Sequence, residues 1–212
     1  MTYHADEGYC CPEMEGSQTS FHREIRLPGG LSLQLRYLQR RDGVRLKEFL
    51  ARCSAESIRS RFMSSTNPPP DSLFSYYAEA DGSRHVALIV TEALGTDERV
   101  VAEGGFVVFN ERPQAADVAL LVADEFQRRG IGRVLILQLM EIACRKGVTL
   151  FSADVLPDNR AMLSLLRSTG QHLSATFGYG SIHFEISITE TLPHVYGKIM
   201  TPRSCPDYLS RR

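Results

Sequence analysis

Residues 116–143, ADVALLVADEFQRRGIGRVLILQLMEIA, carry the strongest structural signal in the chain. The stretch begins as an apolar strand ending at Val122, passes through a polar turn, and opens a long helix after Gln127-Arg128-Arg129-Gly130-Ile131-Gly132. Within the helix, Ile131, Leu135, Leu139 and Ile142 recur at the spacing of one helical face. The pattern predicts a strand, a glycine-containing turn and a helix in direct succession.

Further strands and helices are predicted on both sides of this stretch. Residues 31–37 alternate apolar and polar side chains, which is typical of a half-buried strand. Short turns separate the strands predicted downstream, and this favours an antiparallel meander. The predicted elements are strands at 31–37, 85–91, 99–109, 117–122, 149–155, 175–179 and 182–188, with helices at 44–53, 54–63, 131–146 and 159–169.

Length and charge narrow the class of protein. The 212 residues suit one domain, and 24 Lys plus Arg against 25 Asp plus Glu disfavour a globally basic nucleic-acid-binding protein. We expect a flexible acidic arm at residues 1–22, one domain at 23–192 and an irregular tail at 193–212. Because no long apolar run and no secretory signal pattern is present, we expect a cytoplasmic protein that does not bind a membrane.

Cysteine and histidine spacing gives no sign of a metal site. The five cysteines match no ligand pattern, and Cys53 and Cys144 fall in apolar helical patterns where a buried free thiol is the simplest interpretation. His172, His183 and His194 are isolated and are interpreted as ordinary surface or core histidines. The sequence therefore predicts no bound metal, and it leaves the oligomeric state open.

The turn before the long helix has the features of an anion-binding site. A helix start offers backbone N–H groups without partners and a partial positive charge, and glycines let phosphates approach the backbone. Between residues 126 and 147, five basic side chains accompany one acidic side chain. The turn has neither the Lys-Ser/Thr of a nucleoside-triphosphate loop nor the G-x-G-x-x-G of a dinucleotide fold. A solvated helix start is the alternative interpretation.

This strand, turn and helix resemble the central motif of the GCN5-related N-acetyltransferase (GNAT) family, in which Q/R-x-x-G-x-G/A opens the helix. The resemblance extends over about residues 31–188. The segments CSAESIRSRFMSS (53–65), ADVALLV (116–122) and NRAM (159–162) are most similar to the acetyltransferase domains of bacterial protein-lysine acetyltransferases. The resemblance implies an α/β fold with a mixed, largely antiparallel central sheet of about seven strands and helices on both faces.

The same resemblance implies a site for acetyl-CoA as cosubstrate. Backbone amides of Leu120, Leu121 and Val122 are expected to bind the pantetheine arm and the acetyl carbonyl. Asn159 resembles the family's cofactor-contacting asparagine, although it could serve only as a helix cap. The pyrophosphate is expected at Gln127, Arg128, Arg129, Gly130, Ile131, Gly132 and Arg133.

An amine acceptor has to lose a proton before it attacks the thioester. A lysine with a pKa of about 10.4 is neutral in only about four molecules per ten thousand at pH 7, so a base or a water chain is needed. Asp117 lies where the resembling protein acetyltransferases have a glutamate that acts as general base. Its side chain is one methylene shorter, so a bridging water is an alternative to direct abstraction. Glu103 is the second candidate, and an Asp117 that merely faces solvent is the structural alternative.

The sequence thus predicts an N-acetyltransferase that transfers acetyl from acetyl-CoA to a protein lysine by direct attack in a ternary complex. Many family members have, at the position of Leu166, a tyrosine that protonates the leaving thiolate. This chain lacks that tyrosine, as do the protein-lysine acetyltransferases that it resembles. The expected partners are acetyl-CoA and a protein substrate, without nucleic acid. Two alternatives stay open: an acetyltransferase acting on a small-molecule amine, and a non-catalytic acyl-CoA-binding module.

Overall fold

One mixed sheet organises the chain. The computed structural model describes residues 21–27, 29–63, 77 and 80–188. The strands are β1 His22–Arg26, β2 Ser32–Tyr37, β3 His85–Leu94, β4 Asp97–Val108, β5 Ala115–Val122, β6 Leu150–Val155, β7 Leu173–Gly178 and β8 Ser181–Ser187. The described helices are α1 Gly43–Arg52, α2 Ala55–Phe62, α3 Ile131–Arg145 and α4 Arg160–Ser168.

The strands lie in the order β1-β2-β3-β4-β5-β6-β8-β7. Every neighbouring pair is antiparallel except β5 and β6, which run parallel. Helices cover both faces of the sheet. Helix α2 contacts Glu103 of β4, and α3 lies beside the next residue, Gly104. Successive residues of a strand face opposite sides, so the two helices lie on different faces. The predicted mixed, largely antiparallel sheet with helices on both faces is confirmed.

Within the described residues the sheet has eight strands, one more than the approximate seven predicted. The additional strand is β1, where His22 already pairs with Arg36 and the buried Ile25 pairs with Leu33. No strand was predicted here, because Ile25 and Leu27 alone are too few apolar residues to show a period, and residue 22 was placed in the arm. Residues 1–20 of the predicted arm and the predicted tail at 193–212 lie outside the described residues.

Helix α3 forms the centre of the core on its face of the sheet. The predicted apolar stripe is confirmed, since Ile131, Leu135, Leu139 and Ile142 are all buried. The burial extends further around the helix than one stripe, to residues that include Ile136 and the polar Gln138. Gly147, with φ +77°, follows the helix as the predicted stop. None of the helices in the described part of the chain is long and apolar enough to cross a bilayer.

Two adjacent glycines allow close packing in the centre of β4. A Cβ added at Gly105 would lie 2.4 Å from the carbonyl oxygen of Val86 in β3. A Cβ added at Gly104, on the other face, would lie 2.9 Å from Leu120 Cβ and 3.0 Å from Leu135 Cδ2. The missing side chains therefore let α3 and the neighbouring strands approach β4 closely.

We predict that Gly105→Ala lowers the free energy of unfolding by about 1–3 kcal/mol, because the added methyl forces β3 and β4 apart. Gly43→Ala is the matched control, since Gly43 has φ −55° in α1 and a Cβ there meets nothing within 4 Å. The control should be neutral or slightly stabilising. Urea unfolding followed by circular dichroism compares the variants, and equal stability of both would contradict the packing role of Gly105.

Candidate functional site

The site is a fork between the two parallel strands. β5 and β6 pair only at Ala115 with Leu150, Ala116 with Phe151 and Asp117 with Ser152. Beyond Asp117, β5 continues to Val122 beside β4 without pairing to β6, while β6 continues beside β8. A parallel pair that separates leaves one edge of each strand open. The fork therefore creates a slot in the middle of the sheet, with Asp117 at its closed end.

Every second residue of β5 points its backbone N–H and C=O towards this slot, and the residues between them bond to β4. Phe109 N–H donates to Ala115 O and Ala123 N–H donates to Val101 O, which fixes the odd-numbered residues of β5 as those that bond β4. The N–H groups of Leu120 and Val122 consequently point towards the slot, and that of Leu121 points to β4. Of the three residues expected to bind the acyl-pantetheine, two present their amides to the slot.

The open end of the slot faces the start of α3. The first hydrogen bond of this helix joins Val134 N–H to Gly130 O at 3.1 Å, so the N–H groups of Ile131, Gly132 and Arg133 have no partner within the helix. The N-cap residue of the helix is Gly130, which has no side chain that could accept from these N–H groups. A helix of 15 residues adds its dipole to these amides. The arrangement suits an anionic group such as a phosphate.

The backbone of the turn is shaped for such a group. Arg128 has φ +58° and Gly130 has φ +87°, so left-handed residues alternate along the turn and aim successive N–H groups to one side. An arginine in this conformation is strained, as is often observed at ligand sites. The exposed side chain of Arg129 lies over the ring of Phe126, 5.3 Å from its centroid, which keeps a positive charge beside the turn.

Two predicted ligand residues use their side chains within the protein. Gln127 Nε2 donates to Val122 O and to Ser57 Oγ, both at 3.1 Å, and Arg133 Nη1 donates to Ser168 O at 2.8 Å. Gln127 thus holds the turn against β5 and α2, and Arg133 links α3 to α4. Their backbone groups, rather than these side-chain atoms, are what the geometry offers to a ligand.

A second set of hydrogen bonds fastens α2 to the same turn. Asp124 accepts from Ser54 N at 2.8 Å, Ser54 Oγ at 2.7 Å and Ser57 Oγ at 2.9 Å. Ser54 is also the predicted N-cap of α2, accepting from Ser57 N. Partial burial of Asp124 raises the pKa of its carboxyl group, but these hydrogen bonds outweigh the burial and hold that pKa below its ordinary value. Asp124 therefore acts as an ionised anchor for α2, which the sequence analysis did not identify.

Helix α4 borders the slot on the side of β6. Asn159 caps it, because the Asn159 side chain accepts from Met162 N at 3.0 Å. The cap does not test the predicted cofactor contact, which stays a prediction. Leu166 is fully buried in the same helix. Asp158, just before α4, pairs with Arg59 of α2 at 2.5 Å and so ties the two helices across the end of the slot.

Asp117 lies at the fork with its side chain on the α2 face of the sheet. Asp117 is exposed to solvent, and the protein around its carboxyl group desolvates it in part, which raises its pKa above the ordinary value. The negative charge of Asp154 adds to the rise, while the positive charge of Arg61 and that of a protonated His183 oppose it. A carboxylate with a raised pKa is a stronger base than an aspartate of ordinary pKa.

Glu103, the second candidate base, is differently placed. It is only 1% exposed, and its two oxygens face Arg61, with Nε to Oε1 at 2.7 Å and Nη2 to Oε2 at 3.4 Å. Arg61 Nη2 also donates to the hydroxyl of Tyr77 at 3.4 Å. A carboxylate engaged in this way by a guanidinium is less available to a substrate than Asp117. Of the two predicted carboxylates, Asp117 is therefore the one that a substrate can reach, and its role as base stays a prediction.

A polar chain beside Asp117 was missed by the sequence analysis, which interpreted His183 as an ordinary histidine. His183 Nδ1 lies 3.2 Å from Asp154 Oδ1, and Nε2 lies 3.5 Å from Ser152 Oγ. Ser152 pairs with Asp117 in the sheet, so both side chains point to the same face. These four residues come from three strands, and only strand register brings them together.

Two other chemistries find little support in the described residues. No three His, Cys, Asp or Glu side chains there are grouped as a metal site requires. Of the two cysteines described, Cys53 is buried, and this burial raises its pKa to about 12. A thiol with such a pKa is a poor nucleophile at neutral pH.

Comparisons with known proteins agree with this geometry. The model of the acetyltransferase (GNAT) family matches residues 54–170, more than half of the chain. The acetyltransferase Pat of Mycolicibacterium smegmatis is 37% identical over 118 residues, a match that covers 55% of this chain and 34% of that relative. The matched part is thus about a third of the relative's length.

Solved structures with the same fold include the GNAT domain of S. lividans PAT, with a TM-score of 0.70 and 23% identity, covering 78% of this chain and 96% of that one. A cAMP-binding acyltransferase from Mycobacterium smegmatis aligns with a TM-score of 0.55 and 26% identity. That alignment covers 82% of this chain and 49% of the acyltransferase.

The buried Arg61–Glu103 pair gives a test of the site's packing. We predict that Arg61→Met lowers the free energy of unfolding by about 3–5 kcal/mol, because it leaves the buried Glu103 carboxylate without its cation. The double variant Arg61→Met/Glu103→Met should recover much of this loss. Denaturant unfolding of the two single variants and the double variant measures the coupling, and additive losses would contradict the pairing.

Proposed function

The chain belongs to the acetyltransferase (GNAT) family, and we propose that it transfers the acetyl group of acetyl-CoA to an amine, specifically a lysine side chain of a protein. The observation that carries the proposal is the slot between β5 and β6, with unpaired strand amides along one side, an anion-binding turn at its open end and Asp117 at its fork. The match to acetyltransferase Pat supports acetyl transfer, and the resemblance of residues 53–65, 116–122 and 159–162 to protein-lysine acetyltransferases supports the choice of a protein lysine.

Acetyl-CoA fits the slot by its chemistry. The pyrophosphate would lie at the turn, held by the amides of Gly130 and the first residues of α3, with Arg128 and Arg129 adding charge. The pantetheine arm carries amide groups, which can pair with a strand edge in the manner of another strand. The amides of Leu120 and Val122 are the donors that β5 presents for this purpose. The acetyl group would then lie near Asp117.

The chemistry follows from the groups around the fork. Asp117, in its ionised form, takes a proton from the acceptor ammonium, and the neutral amine attacks the thioester carbonyl directly. The amide N–H of Leu120, which is the slot-facing donor of β5 nearer to Asp117, stabilises the negative oxygen that forms. The CoA thiolate has the modest basicity of a thiol, so it leaves without a tyrosine at the position of Leu166. Cys53 is too deeply buried to form an acyl-enzyme.

We predict that acetyl-CoA and desulfo-CoA bind with micromolar affinity in calorimetric titrations, that ATP does not, and that Gly130→Asp abolishes the binding. The new carboxylate repels the pyrophosphate at the turn. Gly147→Asp is the matched control, because Gly147 also has positive φ, at the opposite end of α3. The control should bind normally. No CoA binding by the wild-type protein would remove the basis of the proposal.

We predict that the purified protein acetylates lysines of a cytoplasmic extract when acetyl-CoA is added, as read by an acetyl-lysine blot. Asp117→Asn should lower kcat by about 10²-fold or more with unchanged acetyl-CoA affinity, because it removes the base alone. The wild-type rate should rise with pH through a pKa above the ordinary aspartate value of about 3.9.

Glu111→Gln, which alters an exposed carboxylate of the β4–β5 loop, is the control and should keep the full rate. Polyamines, amino acids and aminoglycosides are tested as acceptors in parallel. Turnover of one of these amines without new protein bands would replace the lysine acceptor by a small molecule. Binding of acetyl-CoA without turnover of any acceptor would indicate the non-catalytic module.

A further inference from the structure

The polar chain next to Asp117 runs from the interior of the sheet to solvent. Ser152 is 3% exposed at its inner end, and the side chain of His183 is 41% exposed at its outer end. Asp154 lies opposite His183 in the β6–β8 pairing and contacts the ring nitrogen Nδ1. The imidazole is therefore held at two nitrogens by groups of one strand, which fixes its orientation beside the fork.

Acetylation of an ammonium releases two protons from the nitrogen. One leaves before attack, when the ammonium becomes an amine, and the other leaves as the N–C bond forms and the C–S bond breaks. The thiolate takes up one of them to give the CoA thiol, and the other has to reach water. A single carboxylate holds one proton at a time. Asp117 itself meets solvent in the free protein, but the acyl group and the acceptor would cover it in a ternary complex. A second group that accepts a proton and contacts solvent outside the slot would then clear the base for its next use.

We propose that His183 is this second group, a proton-relay residue that receives the proton of Asp117 at Nε2 by way of a water molecule and the Ser152 hydroxyl, and releases it to solvent. The inference rests on the proposed function and adds a residue to it. Asp154 is a positioning residue that orients the ring and stabilises the imidazolium, as a carboxylate does for histidine in catalytic chains. Ser152 holds the other ring nitrogen.

The charges around His183 suit a transient imidazolium. Asp154 of β6 and Asp117 of β5 are negative, and Glu185 on the same strand and face is drawn towards Arg112, 3.8 Å away. From β7 the neighbour is Thr176, which does not titrate. Arg61 of α2 is the opposing cation, and it is occupied by Glu103. Negative charge at the ring therefore favours proton uptake, while solvent exposure favours release.

His183→Gln tests the relay, because glutamine keeps a polar side chain and cannot accept a proton near neutral pH. We expect kcat with the acceptor found in the extract to fall by about tenfold or more, with unchanged acetyl-CoA affinity. The profile of kcat against pH should also differ in shape from that of the wild-type protein. His172→Gln, which alters an exposed histidine outside the site, is the matched control and should match the wild-type protein.

Chemical rescue separates a relay from a structural role. Added imidazole should restore the kcat of His183→Ala in proportion to its neutral form, and it should not restore Asp117→Asn. Asp154→Asn should lower kcat less than His183→Gln, because it removes only the group that orients the ring. An unchanged pH profile in His183→Gln, or no rescue, in a protein whose wild type turns over would overturn the relay alone. Absence of turnover in the wild type would overturn the proposed function together with it.

Discussion

The incomplete pairing of β5 with β6 is the constraint on which the site depends. Three residue pairs hold the two strands together, and beyond Asp117 each strand keeps its outer neighbour and loses the inner one. A sheet that opened elsewhere would leave the amides of Leu120 and Val122 bonded to a strand. Here the molecule leaves these backbone groups unpaired within the sheet at the one place where α3 also begins. A ligand with amide and phosphate groups can satisfy both sets.

Dense packing on both sides of the slot makes this opening sustainable. Gly104 and Gly105 let α3 and β3 come close to β4, and the buried Arg61–Glu103 pair fixes α2 on the opposite face. The strands around the fork are thus held by their outer contacts and do not need to pair with each other. The slot stays open because the contacts of β4 with α3, β3 and α2 hold its strands in place.

Much of the fold could be predicted from the sequence, because period and turn chemistry are local signals. The strand, turn and helix at 116–143, the Ser54 cap and the Gly147 stop all depend on neighbours within a few residues. Strand β1 was not predicted, because its five residues of mixed exposure show little periodicity. The strand is defined by its pairing with β2.

The predicted site residues all come from local motifs, and their roles stay predictions. The backbone turn and Asp117 lie in one stretch, so the resemblance could locate them together. The contacts of Asp124 with α2, the pairing of Glu103 with Arg61, and the chain of Ser152, His183 and Asp154 join residues 29 to 70 positions apart. Only sheet register and helix packing create such contacts, and a single sequence carries no direct signal for them.

The anchoring of α2 by Asp124 couples this helix to the anion-binding turn. The residue just before the turn holds the N-terminus of α2, and the C-terminal part of α2 carries Arg61, whose charge acts on Asp117. A ligand bound at the turn would therefore also stabilise α2, and with it the position of the cation that opposes the rise in the pKa of Asp117.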